Sequence, residues 1–143
     1  MVPVHEPYRE PLPTAPPSPS RFRLAESAIQ AGDKARARDI LGEIAKDAGA
    51  DQPLRDLATI QAALLELEVG KPATAAELVK GLNQEGQAYS LSALEITGLA
   101  AIAGGDKEKA KASFEELKKL AQAEAPASGF ARRADQMLDR LAD

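Results

Sequence analysis

One ten-residue stretch of this chain occurs twice, and the repetition restricts the fold more than any other feature. Residues 28–37 read AIQAGDKARA, and residues 101–110 read AIAGGDKEKA. The shared Gly-Asp-Lys could belong to a phosphate-binding loop or to a turn in a repeated structural unit. A phosphate-binding loop has the pattern Gly-x-x-x-x-Gly-Lys-Ser/Thr after a strand, and the second copy lacks its leading glycine, its Ser/Thr and a strand. We therefore predict a turn in which Gly105 ends one helix and Asp106 caps the next.

Helix signals recur along residues 20–142, and no segment is typical of a strand. Aromatic residues make up 3% of the chain and alanine is abundant, a composition that favours closely packed helices. Three helices are predicted to end at Gly32, Gly70 and Gly105, which are 38 and 35 residues apart. Seven helices are predicted in all, and their starts are marked by Ser20, Asp33, Pro53, Pro72, the turn at 83–86, Asp106 and Ser128.

The spacing and the packing positions resemble the tetratricopeptide repeat family, whose helical hairpins repeat about every 34 residues. In the clearest copy, the matching positions are Leu94, Gly98, Ala101, Ala110, Phe114 and Pro126. In the first copy, they are Leu24, Ala25, Ala28, Ala37, Leu41 and Pro53. The small residues are expected where two helices cross closely. Glu66 lies where the middle copy should have a core residue, which leaves the register of that copy open.

The predicted fold is all-α: a tetratricopeptide-like right-handed solenoid of about three helical hairpins and a C-terminal capping helix. The repeat domain spans 20–143, with units at about 20–52, 53–85 and 86–126 and a cap at 127–142. The cap is expected to bury Phe130, Ala134, Met137 and Leu141. Its solvated outer face is expected to hold Arg132, Arg133, Asp135, Asp139 and Arg140.

Residues 1–19 contain seven of the ten prolines and are predicted to form a flexible, extended tail. A Pro-x-x-Pro match at 13–16 is either a ligand motif or a chance feature of such a tail. His5, the single histidine, also lies there.

Composition excludes several classes of function. A net charge of −4 argues against nucleic acid as a partner, because phosphate binding needs clustered Lys and Arg. The chain has no cysteine and one histidine, so thiolate and multi-histidine metal sites and a histidine-based triad are unavailable. No apolar run reaches the roughly 18 residues of a membrane span. We predict no enzyme activity, no cofactor, no metal and no direct membrane insertion.

The first helix of each hairpin is expected to line a concave face. We define this concave face by its predicted lining positions: Phe22, Glu26, Ile29, Gln30, Ile60, Leu64, Leu67, Glu68, Glu95, Leu99, Ile102 and Ala103. The predicted partner-binding residues are its apolar members, Phe22, Ile29, Ile60, Leu64, Leu67, Leu99 and Ile102. They form either an interaction groove or part of a tightly wound core. A Lys/Asn/Arg clamp for a peptide carboxylate is absent from these positions.

The order of Leu-Arg-Asp-Leu-Ala (54–58) and Ala-Gly-Gly-Asp-Lys (103–107) resembles the periplasmic domain of the ancillary SecYEG translocon subunit family, alphaproteobacterial type. The similarity extends over about residues 22–141. It implies a scaffold for protein or peptide partners, linked to envelope protein translocation or periplasmic chaperoning. Family members carry a transmembrane anchor before the repeats, so the expected location is the periplasmic face of the inner membrane if an anchor exists upstream, and the cytoplasm otherwise. The alternative is a homo-oligomeric (possible homodimer) repeat module, with a groove filled by a second copy or by the chain's own tail.

Overall fold

The computed structural model describes residues 18–143, and seven α-helices with no strand occupy that part of the chain. In order they are α1 (Ser18–Gln30), α2 (Lys34–Lys46), α3 (Gln52–Glu68), α4 (Pro72–Val79), α5 (Ser90–Ala103), α6 (Lys107–Glu124) and α7 (Phe130–Ala142). Helices α1–α2, α3–α4 and α5–α6 form three hairpins, and each helix packs against the next one in the chain. The predicted all-α, tetratricopeptide-like solenoid is confirmed.

One turn geometry is used three times. Gly32, Gly70 and Gly105 have φ angles of 80°, 78° and 79°, a region that glycine enters without steric cost. The next amide donates a 2.8 Å hydrogen bond to a carbonyl five residues back, in the pairs Asp33–Ala28, Lys71–Glu66 and Asp106–Ala101. Glu66 is therefore the equivalent of Ala28 and Ala101, which fixes the register of the middle hairpin.

The turns differ in how they start the second helix. The Oδ1 atoms of Asp33 and Asp106 accept hydrogen bonds from the amides of Arg36 and Lys109, at 3.1 and 3.0 Å. Lys71 cannot accept such a bond, and in the middle turn Pro72 occupies the first helical position instead, where its missing N–H leaves no amide to satisfy.

The core consists of three clusters in series rather than one central cluster. Each cluster joins one hairpin to the next helix: α1 and α2 to α3, α3 and α4 to α5, and α5 and α6 to α7. Leu41 and Phe114, which occupy equivalent positions in α2 and α6, are fully buried. Stability of such an array arises mainly between neighbours.

Several predicted details are wrong. Helix α1 begins at Ser18, because a proline such as Pro19 is tolerated in the first helical turn. The predicted tail therefore ends too late by two residues, and its remainder, with the Pro-x-x-Pro match and His5, lies outside the described residues. The sequence predicts a fourth helix over residues 72–82, but α4 ends at Val79. Gly129, rather than Ser128, is the cap of α7.

The predicted repeat position of Leu24 in the first hairpin is also wrong. The three equivalent turns make Arg21, not Leu24, the counterpart of the buried Leu94. Arg21 is 5% exposed and forms an ion pair with Asp47 at the end of α2, whereas Leu24 is 45% exposed. A charged residue thus occupies a position at which the pattern calls for a large apolar one.

Candidate interaction surface

The predicted partner-binding residues fall into three groups by exposure. Ile29, Leu64 and Ile102 are exposed, at 38%, 43% and 36%. Phe22, Leu67 and Leu99 are half-buried and pack at the edges of the three core clusters. Ile60 is wrong as a binding residue: it is 5% exposed and belongs to the middle core cluster. The concave face is therefore partly core, with an exposed apolar residue remaining on each of α1, α3 and α5.

The N-terminal half of the concave face contains the larger of two clefts, which we call the α1/α3 cleft. It has a volume of about 500 Å³ and is lined by Phe22, Arg23, Glu26, Ile29, Leu57 and Gln61. Helices α1 and α3 scarcely contact one another, because each packs mainly against α2 between them. The cleft results from this separation, and its apolar lining comes from both helices.

The C-terminal half contains a second cleft of about 200 Å³, which we call the α5/α7 cleft. Its lining residues are Glu95, Leu99, Phe114, Arg133, Gln136, Met137 and Arg140. Helix α7 lies beside α5, and its residues Arg133, Met137 and Arg140 line the same cleft as Glu95 and Leu99. The last helix therefore extends the concave face as well as covering the core.

Arg133 and Arg140 are exposed, as predicted for the polar side of α7, and they also line the α5/α7 cleft. Helical periodicity identified the apolar side of α7, and Ala134 is fully buried there as expected. Periodicity does not reveal which neighbour lies beside the polar flank of a helix. In the folded chain that neighbour is α5, and the concave face gains two arginines.

Arg133 and Arg140 have different electrostatic surroundings. Arg133 donates from Nε to Glu95 Oε2 at 2.9 Å and from an Nη atom to Glu95 Oε1 at 3.3 Å, and its guanidinium lies 4.7 Å from the Phe130 ring centroid. The hydrogen bond to Glu95 raises the pKa of Arg133 above its usual value. Arg140 Nη1 lies 4.0 Å from Met137 Sδ and has no carboxylate partner among residues 18–143.

Residues 18–143 contain no group of three or more His, Cys, Asp or Glu side chains that could hold a metal ion. In the same part of the chain, no helix combines the length and apolar character needed to cross a membrane.

Comparison with known families agrees with the repeat geometry. The tetratricopeptide repeat model matches residues 20–48 and 92–121, which correspond to hairpins α1–α2 and α5–α6. No curated protein and no solved structure matches the chain. The unmatched middle hairpin is the one with Glu66 in place of alanine and Lys71 in place of the capping aspartate. Repeats of this kind form extended surfaces for protein partners, which supports a scaffold role.

Proposed function

We propose that this protein is a non-catalytic scaffold that binds an apolar helix or an extended peptide on its concave face. The observation that carries the proposal is the exposure of Ile29, Leu64 and Ile102 on three successive hairpins. Apolar residues aligned on one surface are typical of a binding site, whereas scattered ones need no explanation.

The shape of the concave face supports an elongated ligand. One cleft lies between α1 and α3 and the other between α5 and α7, and the exposed Leu64 lies on α3 outside both linings. A helix presents apolar residues every three or four positions and a strand every second position. Either could place one side chain in each cleft and cover Leu64.

Leu64 provides the test, because Leu78 on α4 is a matched control. The two leucines have similar exposure, 43% and 40%, and Leu78 lines neither cleft. Leu64→Asp should reduce peptide binding at least tenfold, because the charge would lose solvation under an apolar ligand. Leu78→Asp should bind as the wild type does. Fluorescence anisotropy with labelled leucine-rich peptides measures both.

Circular dichroism of the two variants shows whether each remains folded. Equal binding by folded Leu64→Asp and wild-type protein would refute the proposal. Equal losses in both variants would also refute it, since the effect would then have no connection with the concave face.

We also propose that the partner belongs to the envelope translocation machinery, at the periplasmic face of the inner membrane. The support is the resemblance of the segments at 54–58 and 103–107, in their order along the chain, to the periplasmic domain of the translocon subunit family. Photo-crosslinking from position 64 in native membranes, followed by identification of the adduct, tests this proposal. Adducts with translocon subunits or periplasmic chaperones would support it, and adducts confined to cytoplasmic proteins would refute it.

A second candidate function is self-assembly, favoured by Leu24. The repeat register makes Leu24 equivalent to Ala62 of α3, which packs against the hairpin before it. Helix α1 has no preceding hairpin among residues 18–143, and Leu24 is 45% exposed. A second copy could cover this end of the solenoid. Sedimentation at two concentrations would detect a dimer, and a Leu24→Gln variant should dissociate it.

A further inference from the structure

Given the proposed peptide-binding function, on which this inference rests, we propose that the α5/α7 cleft selects an acidic side chain next to an apolar one. The ligand is an internal acidic–apolar segment of a partner protein, with a leucine-like side chain in the cleft and an Asp or Glu carboxylate at Arg140.

The floor of the cleft suits an apolar side chain. Leu99 and Met137 are half-buried, and Phe114 beneath them is fully buried. Methionine adapts its shape readily to different ligands. A volume of about 200 Å³ gives room for one side chain rather than for a whole helix.

The rim of the cleft determines the preferred charge. Glu95 and Arg133 neutralise one another through two hydrogen bonds, so neither is available to a ligand without breaking this pair. Arg140 retains its positive charge without a carboxylate partner among residues 18–143, at the edge of the same cleft. A chain with a net charge of −4 thus presents an uncompensated cation at the end of its concave face, complementary to an acidic ligand.

The exposed rim favours an internal segment over a chain terminus. Arg133, Gln136 and Arg140 are all exposed, so the cleft does not enclose the end of a bound chain. A carboxylate from a side chain can reach Arg140 while the peptide continues past α7.

Three fluorescein-labelled, C-terminally amidated peptides provide the test. They share one sequence with a central Leu-Leu pair and differ in the two residues that follow: Glu-Glu, Gln-Gln or Lys-Lys. Wild-type protein should bind the Glu peptide roughly two- to fivefold more tightly than the Gln peptide, as expected of an exposed ion pair, and the Lys peptide least. Raising the salt concentration should diminish the difference.

Arg140→Gln should remove the preference for Glu over Gln. Arg132→Gln is the matched control, because Arg132 is an exposed arginine on α7 that lines neither cleft. This variant should keep the wild-type preference. A Gln peptide with a free C-terminal carboxylate tests the alternative source of charge, and it should bind no better than its amidated form.

The outcomes separate the two proposals. Equal affinities for Glu and Gln peptides, or an unchanged preference in Arg140→Gln, would overturn this inference. In that case the proposed function would still stand, provided that the Glu and Gln peptides both bind Leu64→Asp more weakly than wild-type protein. Tighter binding of the free-acid Gln peptide would refute selection of a side-chain carboxylate. Failure of all three peptides to bind wild-type protein would count against both proposals.

Discussion

Gly98 sets the distance between α5 and α6. A Cβ atom at this position would lie 2.7 Å from Cζ and 2.8 Å from Cε2 of Phe114, which is fully buried and closely surrounded. The equivalent residue in the first hairpin, Ala25, is also buried. The small residues predicted from the repeat thus have a direct steric reason.

Overpacking a core costs about 1–3 kcal/mol, and alanine gains roughly 1 kcal/mol over glycine in a helix. Gly98→Ala should therefore lower the free energy of unfolding by up to about 2 kcal/mol. Gly42 is the matched control, because it lies inside α2 with no described atom within 4 Å of an added Cβ. Gly42→Ala should raise the free energy of unfolding by roughly 1 kcal/mol, the helix propensity of alanine over glycine. Urea unfolding measures both variants, and equal stabilities would contradict the steric explanation.

Asp47 connects the buried Arg21 to the end of α2. Its carboxylate accepts a 2.8 Å hydrogen bond from the Gly49 amide and pairs with Arg21. The Gly49 hydrogen bond, followed by that of Arg21, lowers the pKa of Asp47 below its ordinary value of 3.8.

A lowered carboxyl pKa means that the folded state binds the proton less tightly than the unfolded state. The stabilisation from Asp47 should therefore be complete above about pH 4–5 and decline as the pH falls through the lower pKa of the folded state. Melting temperatures between pH 7 and 3 should fall less steeply for Asp47→Asn than for the wild type. Parallel curves for the two proteins would contradict this assignment.

The residues of the turns could be predicted, whereas the buried charges could not. Gly105 and Asp106 act locally, through a positive φ angle and a cap within one turn, so a short sequence window contains the cause. The buried Arg21 and Glu66 have ion-pair partners far away in the sequence, at the end of α2 and within α2. The pattern therefore assigned Leu24 in place of Arg21 and left Glu66 unexplained.

The Arg38–Glu66 pair joins α2 to α3. Arg38 Nη1 donates to both carboxylate oxygens of Glu66, at 3.0 and 3.1 Å, and Glu66 is 8% exposed. The middle hairpin departs here from the other two hairpins, in which Ala28 and Ala101 occupy the equivalent positions. An ion pair between adjacent helices replaces the small residue.

Arg38→Met should lower the free energy of unfolding by about 2–3 kcal/mol, because it leaves the Glu66 carboxylate buried without its ion-pair partner. Adding Glu66→Leu should restore most of the loss, since apolar replacements of buried pairs are often neutral. Denaturant unfolding of Arg38→Met, Glu66→Leu and the double variant gives the coupling free energy between the two residues. If the losses of stability in the two single variants added up to the loss in the double variant, the ion pair would contribute no coupling free energy, which would contradict this account.

Helix α7 shows what a sequence pattern leaves unspecified. Its amphipathic spacing correctly predicted a helix that covers the last core cluster. The position of Arg133 and Arg140 beside α5 depends on how α7 packs against α6. One contact between these two helices is the 2.7 Å hydrogen bond that Lys118 of α6 donates to Asp135 of α7. Packing of this kind involves residues from several helices and is not visible in one helix.

Across the whole molecule, the three core clusters follow one another along the chain, and the first helices of the hairpins form a continuous face with α7. The sequence predicted the series of hairpins and the face formed by their first helices, because the turn repeats at a fixed period, but it did not predict the part that α7 adds to that face. It did not separate exposed from buried positions on that face. Ile60 and Leu64 are one helical turn apart, and they differ because Ile60 is packed among residues of α4 and α5.

Methyl NMR spectra of isotope-labelled protein, titrated with the amidated Glu peptide, locate the binding surface directly. We predict that the methyl signals of Ile29, Leu64 and Ile102 shift on binding, while those of Leu24 and Leu78 stay in place. Shifts confined to Leu24 or Leu78, or no shifts at saturating peptide, would contradict binding on the concave face.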